Sequence, residues 1–472
     1  MSFCTSTRSL PHRFRLVLTS FLHQSGLAFA DVLPEAQIQA AFDDEDLAFA
    51  QDDDDVYTPA VTLWAFLSQV LYKEEHRSCA AAVSRVVVLL AALGRQASDN
   101  TGAYCRARAK LPVAVLRRLT LELATGCERV LPKGWLWLGH HVYLVDGTTV
   151  SMPDTDTNQE AWPQHGAQKK GLGFPIARMV VLWSLATGMV RGMALGRYMG
   201  KETGETALLR ELLAQFQPGD ILLADRYYCS YFMIALFLEL GVHFVTRLHQ
   251  QRTADFRRGR RLGRGDHLVR WLRPAKPDWM DQETYDRMPE SIEVRELEVH
   301  LDQPGFRSES LVVVTTLTDA QKYPKADLAE LYHKRWLAEL DIRAIKITLG
   351  MDVLRCQSPE MVHKEIWTCL LAYNLIRKTL LEAAQASGRS PRQLSFTAAL
   401  QKIAAGWTVV LLLDEAALSL LIETHLSDMA SHQVGHRPGR VEPRAIKRRP
   451  KPHKLLTKPR DEARAELLAG KA

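Results

Sequence analysis

The sequence predicts an α/β protein: a mixed sheet with flanking helices, interrupted by a mainly β segment and framed by helical regions at both ends. Between His141 and His249, apolar runs follow one another in the order strand, strand, strand, helix, strand, helix, strand. Those runs are too apolar to leave one face in water, so helices must cover the sheet. On either side the periodicity is helical, from Tyr57 to Gly126 and again from Glu360 to Asp428.

The 472 residues, 47% hydrophobic and 24% charged, have the composition of a globular chain rather than a disordered one. The text divides into an N-terminal helical region at 1–135, the first part of a core at 136–248, a mainly β insertion at 249–308, the closing part of the core at 309–380, C-terminal helices at 381–430 and a basic tail at 431–472. The formal charge is +6, but residues 431–460 alone hold ten Lys or Arg against Glu442, so the remainder is net acidic. Seven cysteines, odd in number and widely spaced without a CxxC pair, argue against structural zinc and against a disulfide framework. Arg13 and Arg15 break the first apolar run and no clean cleavage site follows, which reads as a cytosolic chain. No apolar run approaches the ~18 residues of a membrane span.

In order, an acidic tract from Asp43 to Asp55 precedes the helical runs VTLWAFLSQVLY, CAAAVSRVVVLLAALG and AYCRARAKLPVAVLRRLTLELATG. Arg106, Arg108, Lys110, Arg117 and Arg118 lie on the last of these, which suits either a scaffold or a DNA-reading module. HVYLVDGTTVSM is a strand carrying Asp146, and PIARMVVLWSLATGMVRGMALGRYM is two strands about a turn at Thr187 and Gly188. GETALLRELLAQF reads as a helix, QPGDILLADRYYC as a buried strand ending on Asp225, and YFMIALFLELG with VHFVTRLH as a helix and a further strand. Six arginines crowd 252–264 before the strand-like HLVRWLRP and SIEVRELEVHL. The run Leu331 to Gly350 reads as one helix. At 100° per residue its Tyr332, Arg335, Glu339 and Lys346 fall within an arc of about 60° over about 21 Å.

Asp146 and Asp225 each follow apolar strand residues. A buried carboxylate has to be paired, protonated or metal-bound. If the two converge with Glu339 they form an all-oxygen site suited to Mg²⁺ or Mn²⁺, the kind that serves phosphodiester chemistry. The plain structural alternatives are a turn role for each aspartate, for example Asp146 before Gly147, and intrahelical pairing of Arg335 and Lys346 with Glu339 or Asp341.

The motifs YxxRxxxExxxxxxK at Tyr332, Arg335, Glu339 and Lys346, VDGTTV at Asp146 and LLADRYY at Asp225 and Arg226 together resemble the DDE transposases of insertion sequence family four. The likeness extends over roughly residues 57–380, with the wording of the basic tail also similar. It implies a ribonuclease H-like core with a mainly β insertion. Asp146, Asp225 and Glu339 would be the catalytic residues and metal ligands, with Mg²⁺ as cofactor and Mn²⁺ able to substitute. Arg226, Tyr332, Arg335 and Lys346 would contact DNA phosphate, and an insertion aromatic, Trp271 or Trp279, would hold a flipped base. The implied partners are double-stranded DNA, as terminal inverted repeats and target, and a second copy of the chain in a synaptic dimer.

Arg257, Arg258, Arg260, Arg261, Lys447, Arg448 and Arg449 are candidates for non-specific phosphate contact. DTDTNQE lacks the Gly and Glu of a calcium loop, and KKGLGF is not a Walker motif, so neither calcium nor a nucleotide cofactor is expected. Two alternatives to transposition stay open: a metal-dependent endonuclease without joining, and a catalytically silent DNA-binding protein.

Overall fold

The Thr58 hydroxyl accepts from the Val61 N–H and so starts the helix Pro59–Leu71, with proline at a position whose N–H needs no partner. Ser78 and Asn100 cap Cys79–Ala92 and Thr101–Lys110 in the same way. The computed structural model describes residues 7–469 except 48, 51, 53, 54, 301–309 and 435–454. Contacts divide the chain into two units: Met1–Gly139 with Trp183–Gly192 and Leu340–Val434, and His140–Leu182 with Met193–Glu339 and the described residues after 454.

The first unit is built on the 29-residue helix Pro359–Ser387, against which Val113–Arg129, Pro59–Leu71, Phe396–Gly406 and Glu415–Ser431 pack. This helix is buried on nearly every side, although its charges suggest a solvated face. Its polar groups are individually satisfied. Glu365 pairs with Arg77 at 3.2 Å, Lys378 with Glu382 at 3.1 Å, and Lys364 donates to the Ala109 carbonyl at 2.6 Å. Asn374 accepts from the Val190 N–H at 2.8 Å and donates to the Thr120 carbonyl at 2.9 Å. The boundary expected at 380 falls at Glu339 instead, because Pro359–Ser387 packs against helices from both the N-terminal and the C-terminal regions.

Among the described residues nine strands form one sheet: β1 Val142–Ser151, β2 Ile176–Ser184, β3 Val190–Arg197, β4 Ile221–Leu223, β5 His243–Arg247, β6 Arg260–Gly263, β7 Asp266–Leu272, β8 Ser291–His300 and β9 Ser310–Thr315. Their order is β3-β2-β1-β4-β5-β9-β8-β7-β6. β1, β4 and β5 run parallel, whereas β5, β9, β8, β7 and β6 pair antiparallel in turn. The segment expected as an insertion therefore adds β6, β7 and β8 to the same sheet, with the short helix Gln282–Arg287 between β7 and β8. Buried polar contacts anchor those strands: Arg295 donates to both oxygens of Asp266 at 2.8 and 2.6 Å, and His267 and Trp271 both reach Glu296 at 3.0 Å.

In the second unit's core, Tyr143, Phe216, Phe237 and Phe244 pack in sequence, with successive ring centroids 5.6, 4.9 and 5.4 Å apart. GETALLRELLAQF is less regular than expected, a helix Glu205–Arg210 followed by a tighter turn at Leu213–Gln215. Among the described residues no helix is long and apolar enough to cross a membrane.

Candidate active site

β1 and β4 pair in the register Val142↔Ile221, Tyr143↔Leu222, Leu144↔Leu223, and β4 and β5 in the register Ile221↔His243, Leu222↔Phe244, Leu223↔Val245. The paired residues end at Leu144, Leu223 and Val245, and Asp146, Asp225 and Arg247 each follow two residues further along their chains. Asp146 does not end its strand, since β1 runs on to Ser151. β4 stops at Leu223, so Asp225 caps the turn Arg226–Tyr228, where Oδ1 accepts from the Tyr227 N–H at 2.7 Å. The Asp225 carbonyl accepts from the Thr246 hydroxyl at 2.6 Å, which ties the turn to β5.

Asp146 Oδ1 accepts from the Gly147 N–H at 2.8 Å, and Arg335 Nη1 stands 3.9 Å from Oδ2. Burial pushes the Asp146 carboxyl up to about 6, and the charges of Asp225 and Glu205 push the same way. Glu205 opens the helix Glu205–Arg210, and its Oε2 lies 3.4 Å from the buried Tyr228 hydroxyl, which donates to it. Burial, then Asp225, raises the Glu205 carboxyl as well.

Leu331 to Gly350 is not one regular helix. The α-helix Lys325–His333 passes through a 3₁₀ turn at Lys334–Trp336 into the α-helix Leu337–Arg343 and then a π-helical turn at Ala344–Thr348. The single arc of four side chains assumes 100° per residue, which does not carry through 3₁₀ and π turns. Lys346 is grouped with the first unit, whereas Tyr332, Arg335 and Glu339 are grouped with the second. The expected intrahelical pair is made, Arg335 Nη2 to Glu339 Oε1 at 2.8 Å, and Glu339 is otherwise exposed. Arg335 thus contacts two of the three carboxylates named from the sequence. Tyr332 is buried in the electrostatic company of Arg335, Arg247, Asp225 and Arg226, and burial pushes its hydroxyl up to about 12.

Sequence reasoning missed Glu205, Tyr228 and Arg247. The signal that found Asp225, a charge at the end of an apolar strand, is also present at Arg247. Nothing local singles out Glu205, whose setting depends on Gly147: a Cβ there would overlap the Glu205 carboxyl carbon and Oε1.

Trp271 does not suit the role expected of it. Its side chain is 5% exposed, its indole donates to Glu296 and the Arg252 guanidinium lies 4.0 Å over its ring, whereas a residue that holds a flipped base has to be reachable. Trp279 is partly buried under the Arg210 guanidinium at 3.9 Å. The exposed aromatic beside Asp225 is Tyr227, at 51%.

Arg257 and Arg258 are exposed and both pair with Asp255, at 2.9 and 3.4 Å, while Arg260 and Arg261 stand exposed on β6, the last strand of the sheet. Lys447, Arg448 and Arg449 lie outside the described residues.

Asp146, Asp225 and Glu205 offer only oxygen donors, a chemistry that suits Mg²⁺ or Mn²⁺. Among the described residues no three His, Cys, Asp or Glu side chains have the spacing of a metal centre, and Glu339 faces Arg335.

Residues 137–375, half of the chain, match the model of the transposase DDE domain. Over 397 residues the chain is 27% identical to transposase InsG of insertion sequence element IS4 from Escherichia coli (strain K12), a match covering 82% of this chain and 85% of that one. The chain belongs to the DDE transposases of insertion sequence family four. A solved piggyBac transposase synaptic complex with hairpin DNA aligns over 93% of this chain and 89% of that one, at a TM-score of 0.42 and 9% identity.

Proposed function

We propose that this transposase cleaves DNA at the inverted-repeat ends of an insertion sequence and joins the resulting 3′-hydroxyls to target DNA. Asp146, Asp225 and Glu339 would hold the divalent cations, Mg²⁺ with Mn²⁺ able to substitute. The observation that carries this reading is that Asp146 and Asp225 each follow, two residues on, the paired Leu144 and Leu223 of the parallel strands β1 and β4, with Arg335 Nη1 3.9 Å from Asp146 and Nη2 2.8 Å from Glu339. The order β3-β2-β1-β4-β5, with β1, β4 and β5 parallel, supports a ribonuclease H-like core to which β6, β7 and β8 are an insertion.

Bound cations supply activation of the attacking oxygen and stabilisation of the leaving one. The protein's own groups do the rest. Arg335 stands between Asp146 and Glu339, where its planar fork suits a backbone phosphate of the strand being cut. Arg226 and Arg247 flank Asp225 and add point charges along the same backbone, and Lys346 contributes a further one. Tyr332, whose hydroxyl stays protonated, donates a hydrogen bond to phosphate and is no nucleophile. Arg257, Arg258, Arg260 and Arg261, with Lys447, Arg448 and Arg449, hold flanking duplex without reading its sequence. The chain acts on two ends as a dimer, and it needs no nucleotide because one phosphodiester is exchanged for another.

The test incubates the purified chain with DNA bearing the element's termini and a target plasmid. Divalent-dependent cuts at those termini and joined products are expected, and chelation should stop both. Cuts without joined product would reduce the activity to an endonuclease, and binding without cuts would leave a silent binder.

A further inference from the structure

We propose that Cys79 and Cys105 are a dithiol modification site: a peroxide entering the cavity beside Cys79 oxidises the pair to a disulfide that cross-links two helices of the first unit.

The two cysteines come from separate helices, Cys79 as the first residue of Cys79–Ala92 and Cys105 inside Thr101–Lys110, and these helices pack on each other. Both side chains are partly exposed, and their thiols are hydrogen-bonded to one another. Gln69 fixes the meeting point. Its buried amide nitrogen lies 3.8 Å from Cys79 Sγ, while its oxygen accepts from Tyr104 Oη at 2.5 Å and Arg108 Nη1 at 3.0 Å, so both helices are tied to the same side chain.

Beside Cys79 is a cavity of about 110 Å³, room for a few water-sized molecules. Arg77, Arg108 and Arg355 line it against one carboxylate, Glu365, which is already taken by Arg77 and by the N–H groups of Arg355 and Cys356. Arg108 has no carboxylate partner among the described residues. Its Nε is buried without an acceptor, and the ionisable groups around it are Tyr104 and the sulfurs of Cys79, Cys105 and Cys356. A guanidinium set among sulfurs stabilises a thiolate, the form that attacks a peroxide.

Position sets the order of events. Cys79 lines the cavity, whereas burial and then Cys79 itself raise the Cys105 thiol, so Cys79 attacks first. Its sulfur takes one peroxide oxygen as the O–O bond breaks; water leaves and a sulfenic acid remains. Cys105 then attacks that sulfur, the S–S bond forms as the S–O bond breaks, and a second water leaves. Two thiols give up two electrons and two protons, and one peroxide becomes two waters.

The experiment treats the purified, reduced full chain with hydrogen peroxide and reads the products by differential alkylation and peptide mass spectrometry. Two thiols per chain should be lost into one Cys79–Cys105 link, which dithiothreitol reverses. Cys105→Ser should leave a sulfenic acid on Cys79 that a dimedone probe traps, and Cys356→Ser should still form the link. A pair that stays reduced, a link from Cys79 to Cys356, or oxidation of both sulfurs without a link overturns the proposal. Wild type alone decides it if a serine variant does not fold.

Discussion

Asp225→Asn should abolish cleavage at the element's ends while leaving DNA binding intact. Asparagine keeps the acceptor that receives the Tyr227 N–H at 2.7 Å, so the turn Arg226–Tyr228 and its tie to β5 survive. What disappears is one of two negative charges that follow the paired residues of neighbouring strands. Several kcal/mol of transition-state stabilisation pass through such a ligand, which at 1.36 kcal/mol per decade is about a thousand-fold in rate or more. Binding, governed by phosphate contacts to arginine and lysine, should stay within a few-fold or tighten slightly as a carboxylate is removed. A gel-shift titration beside a cleavage assay separates the two effects. Substantial metal-dependent cutting by the variant would remove Asp225 from the chemistry.

Asp341→Asn should produce the largest loss of stability. Asp341 is fully buried in the first unit, two residues after Glu339. It accepts from Tyr373 Oη at 2.9 Å and Arg377 Nη2 at 2.6 Å, and takes both ends of the Arg392 fork at 2.8 Å. Arg377 lies between the rings of Tyr373 and Phe396, each 5.2 Å away, with no route to water for its charge. Removing the anion that serves the buried Arg377 and the partly buried Arg392 costs roughly 3–5 kcal/mol, because the desolvation already incurred is left uncompensated. Urea denaturation should show this as a lowered midpoint. A loss below about 1 kcal/mol would mean that the arginines find other acceptors and that Asp341 is not the anchor.

Much of the second unit was legible in the sequence because its strands announce themselves by apolar runs and its chemistry by carboxylates that interrupt them. ILLAD could hardly be read otherwise than as a buried strand delivering an acid, and HVYLVDG nearly so. What escaped was everything decided by pairing. Glu205 and Glu202 look alike in GKETGET, and only the fold sets one of them against a glycine of another strand. Arg247 gains its meaning from the pairing of β4 with β5, since it lies two residues past Val245 as Asp225 lies two past its partner Leu223.

The helix carrying Glu339 was recognised but given uniform geometry. Side-chain polarity says which residues are helical and not whether each turn closes at three, four or five residues, so the 3₁₀ and π turns at Lys334–Trp336 and Ala344–Thr348 were invisible. The charges along Pro359–Ser387 misled in the opposite direction. Arg377, Lys378 and Glu382 imply solvent by composition, yet each is buried with a partner supplied by the same turn or by a remote element. Trp271 failed for the same reason, its indole being claimed by Glu296 on the neighbouring strand.

The account depends on a divalent cation shared by Asp146 and Asp225. The most direct test is anomalous scattering from crystals of the protein with terminus DNA and Mn²⁺. The account predicts a peak ligated by an oxygen of Asp146 and an oxygen of Asp225, at 2.0 to 2.3 Å by about the usual metal–oxygen range. A Mn²⁺ peak bound elsewhere on the cleaved DNA, with neither aspartate as ligand, would contradict it.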